Sequence, residues 1–252
     1  MPRILVTNDD GVHAPGIKAL VAALQPLGDV FRIAPLGESS AVGHALTLTR
    51  PLRLERIDER TFGVDGTPTD CVILGVDKIL QGLPDLVVSG INMGYNLGDD
   101  VTYSGTVAGA LEGTLLGIPS IAVSLCRSKQ YDFTQAAWAA RVVSEIVLEQ
   151  RLPPRTFLNV NVPRTKAVGF RVTAQGRRQQ TTTVREGEDP RGRRYYWIEE
   201  VVSDWTADER SDIVAVRDGF ISVTPLQPDL TDYPSLAAIE RLPLPAIPVP
   251  SP

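Results

Sequence analysis

The sequence has few of the residues that form disulfides or hold soft metal ions. Its 252 residues include two cysteines and two histidines. Cys71 and Cys126 lie far apart, each among apolar neighbours, which favours buried free thiols over a paired metal or disulfide site. A zinc-type or disulfide-based site is therefore not predicted.

The chain also lacks an excess of positive charge and any long apolar run. Its formal net charge of −5 argues against a broad nucleic-acid surface, which would normally be basic. No apolar run approaches the length of a membrane span, and the residues after Met1 do not show a signal-type pattern. We therefore expect a cytoplasmic protein that binds neither a nucleic-acid polymer nor a membrane.

Short apolar strands alternate with helical segments through residue 165. Predicted strands at 4–6 and 29–35 flank a predicted helix at 15–27, which makes a βαβ unit with a right-handed crossover. The alternation continues with predicted helices at 70–80, 106–116 and 134–150 and predicted strands at 86–89, 120–124 and 157–162. This order predicts an α/β fold with a doubly wound, mostly parallel sheet.

The C-terminal part of the chain has a different pattern. Residues 174–215 are polar and charged, and alternation behind the turn sequence EDPRG predicts a projecting β-hairpin extension. Its residues Tyr195, Tyr196 and Trp197 would either contact a partner surface or pack on their own domain. Residues 216–240 indicate a return strand and a short helix, and 242–252 a proline-rich tail. We interpret residues 1–252 as one domain that carries this arm.

Polar loops follow three of the predicted strands, where an open α/β sheet binds its ligands. The first loop contains Asp9 and Asp10, the second Ser39 and Ser40, and the third Asn92. Adjacent carboxylates at the end of a buried strand repel each other, and a hard divalent cation held by oxygen ligands would neutralise them. The alternative is that one aspartate caps the following helix while the other faces water.

A second ligand could bind where a helix of small residues begins. Free N–H groups and the positive helix end at Ser104, Gly105 and Thr106 favour a phosphate, and Asn96 could add an amide donor. The alternative is an ordinary helix cap with glycines for close packing. The sequence has no Walker-type lysine and no G-x-G-x-x-G motif, so nucleoside triphosphatase and dinucleotide sites are weakly supported.

Several stretches together resemble the SurE family of survival proteins, metal-dependent phosphatases that act on nucleoside monophosphates. They are ILVTNDDGVHAPGI, IAP with SSAVGHALTL, GTPTDCV, DLVVSGINMGYNLGDDVTYSGTVAGALEG and SVTPLQPDLTDY. The resemblance spans nearly the whole chain. It implies a Rossmann-like core, one divalent metal ion per subunit (Mg²⁺ or Mn²⁺), and a dimer or tetramer whose subunits exchange the C-terminal arm.

The resemblance also implies a set of site residues. The metal ligands would be Asp9, Asp10, Ser40 and Asn92, and the anion-contacting residues Asn8, Asn96, Ser104, Gly105 and Thr106. Counting back from Leu46 places the family serine at Ser40, with Ala41 where glycine is usual, and Ser39 stays open as an alternative. The preceding APLGE lacks an aspartate and an arginine of the usual APDRN-like pattern, which weakens the expectation of substrate contacts from this loop.

The implied reaction is hydrolysis of a nucleoside 5′-monophosphate to nucleoside and phosphate by a metal-activated water. The catalytic candidates are Asp9 and Asp10, with Asp9 favoured as the base. Nucleoside 3′-monophosphates and short polyphosphate are further candidate substrates. An aspartyl-phosphate route ranks lower, because the haloacid-dehalogenase pattern that uses it spaces its acids D-x-D.

Other residues and other functions stay open from the sequence. His13 could donate to a leaving oxygen and His44 could contact a base or ribose, although packing roles are more common for single histidines. Asp70 is predicted to begin a helix, and Asp99 and Asp100 to cap a loop. The alternative functions are a non-hydrolytic metal- and nucleotide-binding regulatory module, a metal-dependent glycosyltransferase and a mainly structural oligomer.

Overall fold

A nine-stranded sheet lies at the centre of the computed structural model, which describes residues 1–177, 180–202 and 208–242. The strands of this sheet are β1 Arg3–Thr7, β2 Asp29–Pro35, β3 Leu54–Arg56, β4 Thr61–Val64, β5 Leu86–Met93, β6 Ser120–Leu125, β7 Phe157–Val162, β8 Gly169–Val172 and β11 Phe220–Leu226. A separate two-stranded sheet contains β9 Gln180–Glu188 and β10 Arg194–Val202.

The helices are α1 Pro15–Leu24, α2 Pro68–Leu74, α3 Gly105–Leu115, α4 Thr134–Gln150, α5 Asp212–Arg217 and α6 Tyr233–Ile239. A π-helical turn, Gly75–Ile79, continues α2, and a 3₁₀ turn, Gly98–Thr102, precedes α3. None of the helices in the described ranges combines the length and apolar character that a bilayer crossing requires.

The strand order is β3-β4-β2-β1-β5-β6-β7-β11-β8. Strands β4, β2, β1, β5, β6 and β7 run parallel, β3 is antiparallel to β4, and β11 is antiparallel to β7. The chain builds outward from β1 through β2 to β4 and then returns to place β5 on the other side of β1. The predicted doubly wound sheet is therefore confirmed, and its switch point lies between β1 and β5.

The sheet is covered on both faces. Ile4 and Val6 of β1 pack with Ile17 of α1 and Val143 of α4, whereas Leu5 packs with α2 on the opposite face. This alternation follows from the two-residue period of a strand, and it explains why the whole run is apolar and fully buried. The residues after Val6 are thereby held at the carboxyl edge of the sheet.

The predicted bounds of β2, α4 and β7 agree with the structure, whereas several short elements were missed. Strands β3 and β8 carry exposed or half-buried residues and lie at the two edges of the sheet, so they lack a clear apolar pattern. Strand β4 and helix α5 were also not predicted from the sequence. The predicted helix at 70–80 is α-helical only to Leu74, and β5 extends beyond the predicted 86–89.

The C-terminal hairpin is present as β9 and β10. Tyr196 and Trp197 are 58% and 64% exposed, so their rings do not pack on their own domain within the described residues. Of the predicted arm at 174–215, residues 178, 179 and 203–207 lie outside the described residues, as does the predicted tail beyond residue 242.

Candidate metal centre

The carboxyl ends of β1 and β5 open into a cavity of about 400 Å³ at the switch point of the sheet. The side chains and backbone that line it come from five loops. They are Asp9, Asp10, Glu38, Ser40, Ala41, Asn92, Met93, Gly94, Tyr95, Asn96, Asp100, Tyr103, Ser104, Arg127 and Tyr131. The structure thus brings together all four predicted metal ligands and, of the predicted anion contacts, Asn96 and Ser104.

The charged forms of the two adjacent aspartates are destabilised by burial and by neighbouring negative charge. Asp9 is only 4% exposed, and its burial raises the pKa of its carboxyl, as does the nearby charge of Glu38. Burial and the charge of Asp9 raise the pKa of Asp10 to about 6. Oδ2 of Asp10 is buried and has no hydrogen-bond partner among the described residues. The site is therefore short of positive charge.

The donor set fits a hard divalent cation. Asp9 and Asp10 supply carboxylates, and the amide nitrogen of Asn92 donates to the carbonyl of Gly94 at 3.0 Å, which leaves the amide oxygen for a ligand. In the described part of the chain, no group of three or more His, Cys, Asp or Glu side chains could hold a metal. A cation here would rest on two carboxylates with neutral oxygens, a set that suits Mg²⁺ or Mn²⁺.

The structure distinguishes the two serines of the second loop. Ser40 lines the cavity, and its hydroxyl donates to Oε1 of Glu38 at 2.9 Å, so its lone pairs stay available. Ser39 lines a neighbouring cavity, and its backbone N–H donates to the carbonyl of Asp9 at 2.8 Å. Ala41 has a φ of +56°, the left-handed region that explains why glycine is usual at this position.

The N-terminus of α3 packs directly on Asp9. The hydroxyl and the backbone N–H of Thr106 donate to the Asp9 carboxylate. A Cβ atom on Gly105 would lie 2.8 Å from Cβ of Asp9, so only glycine permits this approach. Ser104 caps the helix by accepting from the N–H of Val107 at 3.0 Å. The anion that this helix end holds in the structure is therefore Asp9 itself.

The two predicted asparagine contacts occupy different places. Asn8 is fully buried behind the cavity, where its amide donates to the carbonyl of Gly11 at 3.0 Å and braces the aspartate loop. Asn96 lines the cavity, but its amide nitrogen donates to Oγ of Ser124 at 2.7 Å. Its backbone N–H donates to Oδ1 of Asn161 at 2.9 Å, so the ends of β6 and β7 hold it in place.

Both histidines lie outside the cavity lining. Nε2 of His44 lies 2.8 Å from Oε2 of Glu112, a nearly buried residue of α3, so His44 anchors the serine loop to that helix. His13 is exposed. Asp70 forms a capping box with Thr67 at the start of α2 and also binds Thr47, which confirms its predicted structural role.

The sequence reasoning missed Arg127 and the three tyrosines that line the cavity. Arg127 follows the carboxyl end of β6, and among the residues that line this cavity it is the one with a positively charged side chain. In the ranges that the structure describes, its guanidinium has no ion-pair partner. The rule that identified the aspartate loop, that ligands bind after parallel strands, would also have pointed to the segment after β6.

A larger cavity, of about 550 Å³, lies at the other end of the strands. It is lined by residues of α1 and by the starts of β2 and β4, and both of its arginines are in ion pairs. Arg60 contacts Asp29 at 2.7 Å, and Arg32 lies 4.0 Å from Asp58. We therefore base the functional assignment on the chemistry of the switch-point cavity rather than on volume.

The fold and the site define a doubly wound α/β protein with an acidic, oxygen-lined ligand site at its switch point. The model of one protein family, described as survival protein SurE, matches residues 4–182. The chain belongs to the SurE family.

Similar proteins match over nearly the full chain. A protein of Geotalea uraniireducens (strain Rf4) named 5′-nucleotidase SurE is 54% identical over 243 residues, which cover 95% of this chain and 98% of that protein. A protein of the same name from Syntrophotalea carbinolica is 52% identical, with 94% and 96% covered. The crystal structure of the SurE protein from Aquifex aeolicus has a TM-score of 0.86 at 46% identity and covers 95% of this chain and 98% of its own.

Proposed function

We propose that this protein is a divalent-metal-dependent 5′-nucleotidase that hydrolyses nucleoside 5′-monophosphates to nucleoside and phosphate. Relatives that share about half of its residues carry the name 5′-nucleotidase. The observation in this chain that carries the proposal is the adjacent pair of buried Asp9 and half-buried Asp10 at the switch-point cavity, in which Oδ2 of Asp10 has no hydrogen-bond partner among the described residues.

One divalent cation, Mg²⁺ or Mn²⁺, would be held per subunit by Asp9, Asp10, Ser40 and Asn92. When bound, such a cation polarises a phosphoryl oxygen and lowers the pKa of a coordinated water. Loss of one carboxylate should therefore abolish both cation binding and turnover.

The chain's own donors would hold the phosphoryl group. A phosphate dianion is repelled by the carboxylates of the cavity, so it requires positive charge and hydrogen-bond donors in addition to the cation. Arg127 supplies a charge suited to phosphate, and Ser104 and Asn96 line the same cavity. Gly105 and Thr106 would act by orienting Asp9, because both contact that residue.

We propose Asp10 as the proton acceptor in place of Asp9, the base that the sequence favoured. The Asp9 carboxylate already accepts hydrogen bonds from Thr106. The Asp10 carboxylate accepts from the backbone N–H of Met93, but its Oδ2 has no hydrogen-bond partner among the described residues, so we assign to this oxygen the proton of the attacking water. In this scheme Asp9 serves as an oriented ligand and Asp10 as ligand and base.

The decisive experiment is a phosphate-release panel with purified protein. AMP, GMP, CMP and UMP are supplied with Mg²⁺, with Mn²⁺ or with chelator, beside 3′-AMP and tripolyphosphate. Asp9→Asn and Asp10→Asn should lose at least about 100-fold in kcat/KM, whereas Asp77→Asn, on the exposed π-helical turn, should not. Full activity in chelator, or equal turnover by Asp10→Asn, would refute the mechanism.

The same panel separates the alternative function, a non-hydrolytic regulatory module. Such a module would bind Mn²⁺ and AMP through the same residues and release no phosphate. Calorimetric binding of both ligands without turnover would therefore favour it over the nucleotidase.

We further propose that the β9–β10 hairpin joins subunits into a dimer or tetramer by exchange of the arm. Val184 and its cross-strand neighbour Ile198 are 63% and 73% exposed on one face of the hairpin, and Trp197 is 64% exposed on the other face. Both faces therefore present apolar side chains that a partner would cover. Trp197→Ser combined with Ile198→Ser should lower the mass measured by sedimentation equilibrium. An unchanged mass would contradict the role of the arm.

A further inference from the structure

Three tyrosines line the switch-point cavity, and two of them already have partners. The hydroxyl of Tyr131 donates to the carbonyl of Met93 at 3.1 Å, and its ring stacks on Phe133 with centroids 5.7 Å apart. Tyr95 lies within hydrogen-bond range of the Cys126 thiol. Tyr103 is different, because its side chain makes no hydrogen bond or ring contact with the residues that the structure describes.

The ring of Tyr103 is presented by a well-anchored backbone. Its N–H donates to the carbonyl of Asp100 at 3.1 Å, and its carbonyl accepts from the N–H of Gly43 at 3.0 Å. The next residue, Ser104, caps α3. Tyr103 is nevertheless 66% exposed. An aromatic side chain on an anchored backbone has only two side-chain torsions to fix when it binds a flat group, so the cost in conformational entropy is low.

We propose that Tyr103 is a specificity-determining residue that stacks on the nucleobase of the substrate. This inference rests on the proposed nucleotidase function and names the recognition element for its nucleoside half. Ser104 adjoins Tyr103 and lines the same cavity as Asp10. A bound nucleotide would therefore place its phosphate at the cation site formed by the acids and its base on the ring of Tyr103. Both Tyr103 and the acidic pair line this one cavity, so a single nucleotide can contact both through its two ends.

Stacking on one ring predicts a particular substrate range. Every base has a π-face, so stacking discriminates little among bases and strengthens with the area of the ring system. We therefore expect all four nucleoside 5′-monophosphates to be hydrolysed, with AMP and GMP preferred over CMP and UMP. A phosphomonoester without a base, such as ribose 5-phosphate, should be used less well.

The test compares kcat/KM for AMP with kcat/KM for ribose 5-phosphate in the metal-loaded full chain. Tyr103→Ala should reduce this ratio about tenfold, mainly through a higher KM for AMP. Tyr103→Phe keeps the ring and should retain the wild-type ratio. The inhibition constant of adenosine, a product without phosphate, should rise by a similar factor in Tyr103→Ala only.

Trp138→Ala is the control for loss of a half-exposed aromatic residue outside the cavity, and it should leave the ratio unchanged. An unchanged ratio in Tyr103→Ala, or an equal fall in Tyr103→Phe, would overturn the stacking role while leaving the nucleotidase intact. A wild-type protein that hydrolyses ribose 5-phosphate as well as AMP would also overturn it. If wild type releases phosphate from neither, the proposed function itself fails.

Discussion

The hydroxyl of Thr106 donates a hydrogen bond to Oδ1 of Asp9, although 97 residues separate the two in the sequence. The backbone N–H of Thr106 donates to the same carboxylate. A buried carboxylate is costly unless hydrogen bonds or charge stabilise it, and α3 supplies both through its N-terminus. The helix thus fixes one of the two acids before any cation binds.

Thr106→Val should therefore weaken metal binding at the site without abolishing it. Valine keeps the shape of threonine but removes the hydroxyl that orients Asp9, so we expect Mn²⁺ affinity and kcat/KM for AMP to fall about 10- to 100-fold. Calorimetric titration of Mn²⁺ and phosphate release measure the two effects. Thr106→Ser keeps a hydroxyl and should recover most of the loss.

Thr114→Val is the matched control on the same helix. Thr114 is also nearly buried, but its hydroxyl donates to the carbonyl of Ala110 at 3.0 Å, away from the cavity. Normal Mn²⁺ binding in Thr106→Val, or equal defects in both variants, would show that the Asp9 contact does not matter.

Gly105→Ala tests the close approach of α3 to the aspartate loop. The new methyl group would lie 2.8 Å from Cβ of Asp9 and 3.0 Å from its Oδ2, so the helix or the loop must move. We expect a loss of about 1–3 kcal/mol in the free energy of unfolding, together with reduced Mn²⁺ affinity. Gly37→Ala adds the same methyl group where no atom lies within 4 Å, and it should fold and unfold like wild type.

Metal removal should expose the repulsion between the two acids. In chelator, Asp10→Asn removes the charge of a half-buried carboxylate next to buried Asp9. We expect it to raise the free energy of unfolding by about 1 kcal/mol, a value reduced for partial solvent screening. In saturating Mn²⁺ the order should reverse, because only wild type gains stability from the ion. Urea unfolding under both conditions measures this. A less stable Asp10→Asn protein in chelator would indicate that the pair is not strained.

Ser39 and Ser40 form a natural pair for testing the third metal ligand. Only Ser40 lines the acidic cavity, so Ser40→Ala should lower Mn²⁺ affinity about tenfold. Ser39→Ala changes a residue that lines the neighbouring cavity and keeps the backbone hydrogen bond to Asp9, so its affinity should stay near wild type. The opposite result would assign the ligand to Ser39.

The sequence predicted the sheet and the acidic pair for the same reason. A short apolar run such as Ile4–Val6, followed by polar residues and a helical segment, favours a buried strand, and the polar residues after a strand lie at the carboxyl edge of the sheet. Thr106 could not be assigned to Asp9 in this way, because that contact depends on where α3 lies against the sheet. The positive φ of Ala41 likewise depends on the folded loop and could not be predicted from the amino-acid sequence of that loop.

Arg127 and Tyr103 were missed for a different reason. Each lies in a polar loop whose composition resembles any solvated turn, and only the folded structure shows which loop residues line the cavity. Edge strands such as β3 were missed because their residues are exposed and carry no burial pattern. Buried strands and the amphipathic helix α4 were therefore predictable from their apolar patterns, and the elements defined by tertiary neighbours were not.

Arg127 provides a last prediction, on the charge balance of the cavity. Arg127→Ala should raise KM for AMP about tenfold or more, since a charged donor to phosphate is lost, and Arg127→Lys should recover only part because lysine cannot bind two oxygens in a fork. Mn²⁺ affinity should not fall, because removal of a positive charge does not disfavour a cation. Lys129→Ala removes a charge from the same loop but from a neighbouring cavity. An equal rise in KM in Lys129→Ala would mean that the charge of the loop, rather than contact with Arg127, attracts the substrate.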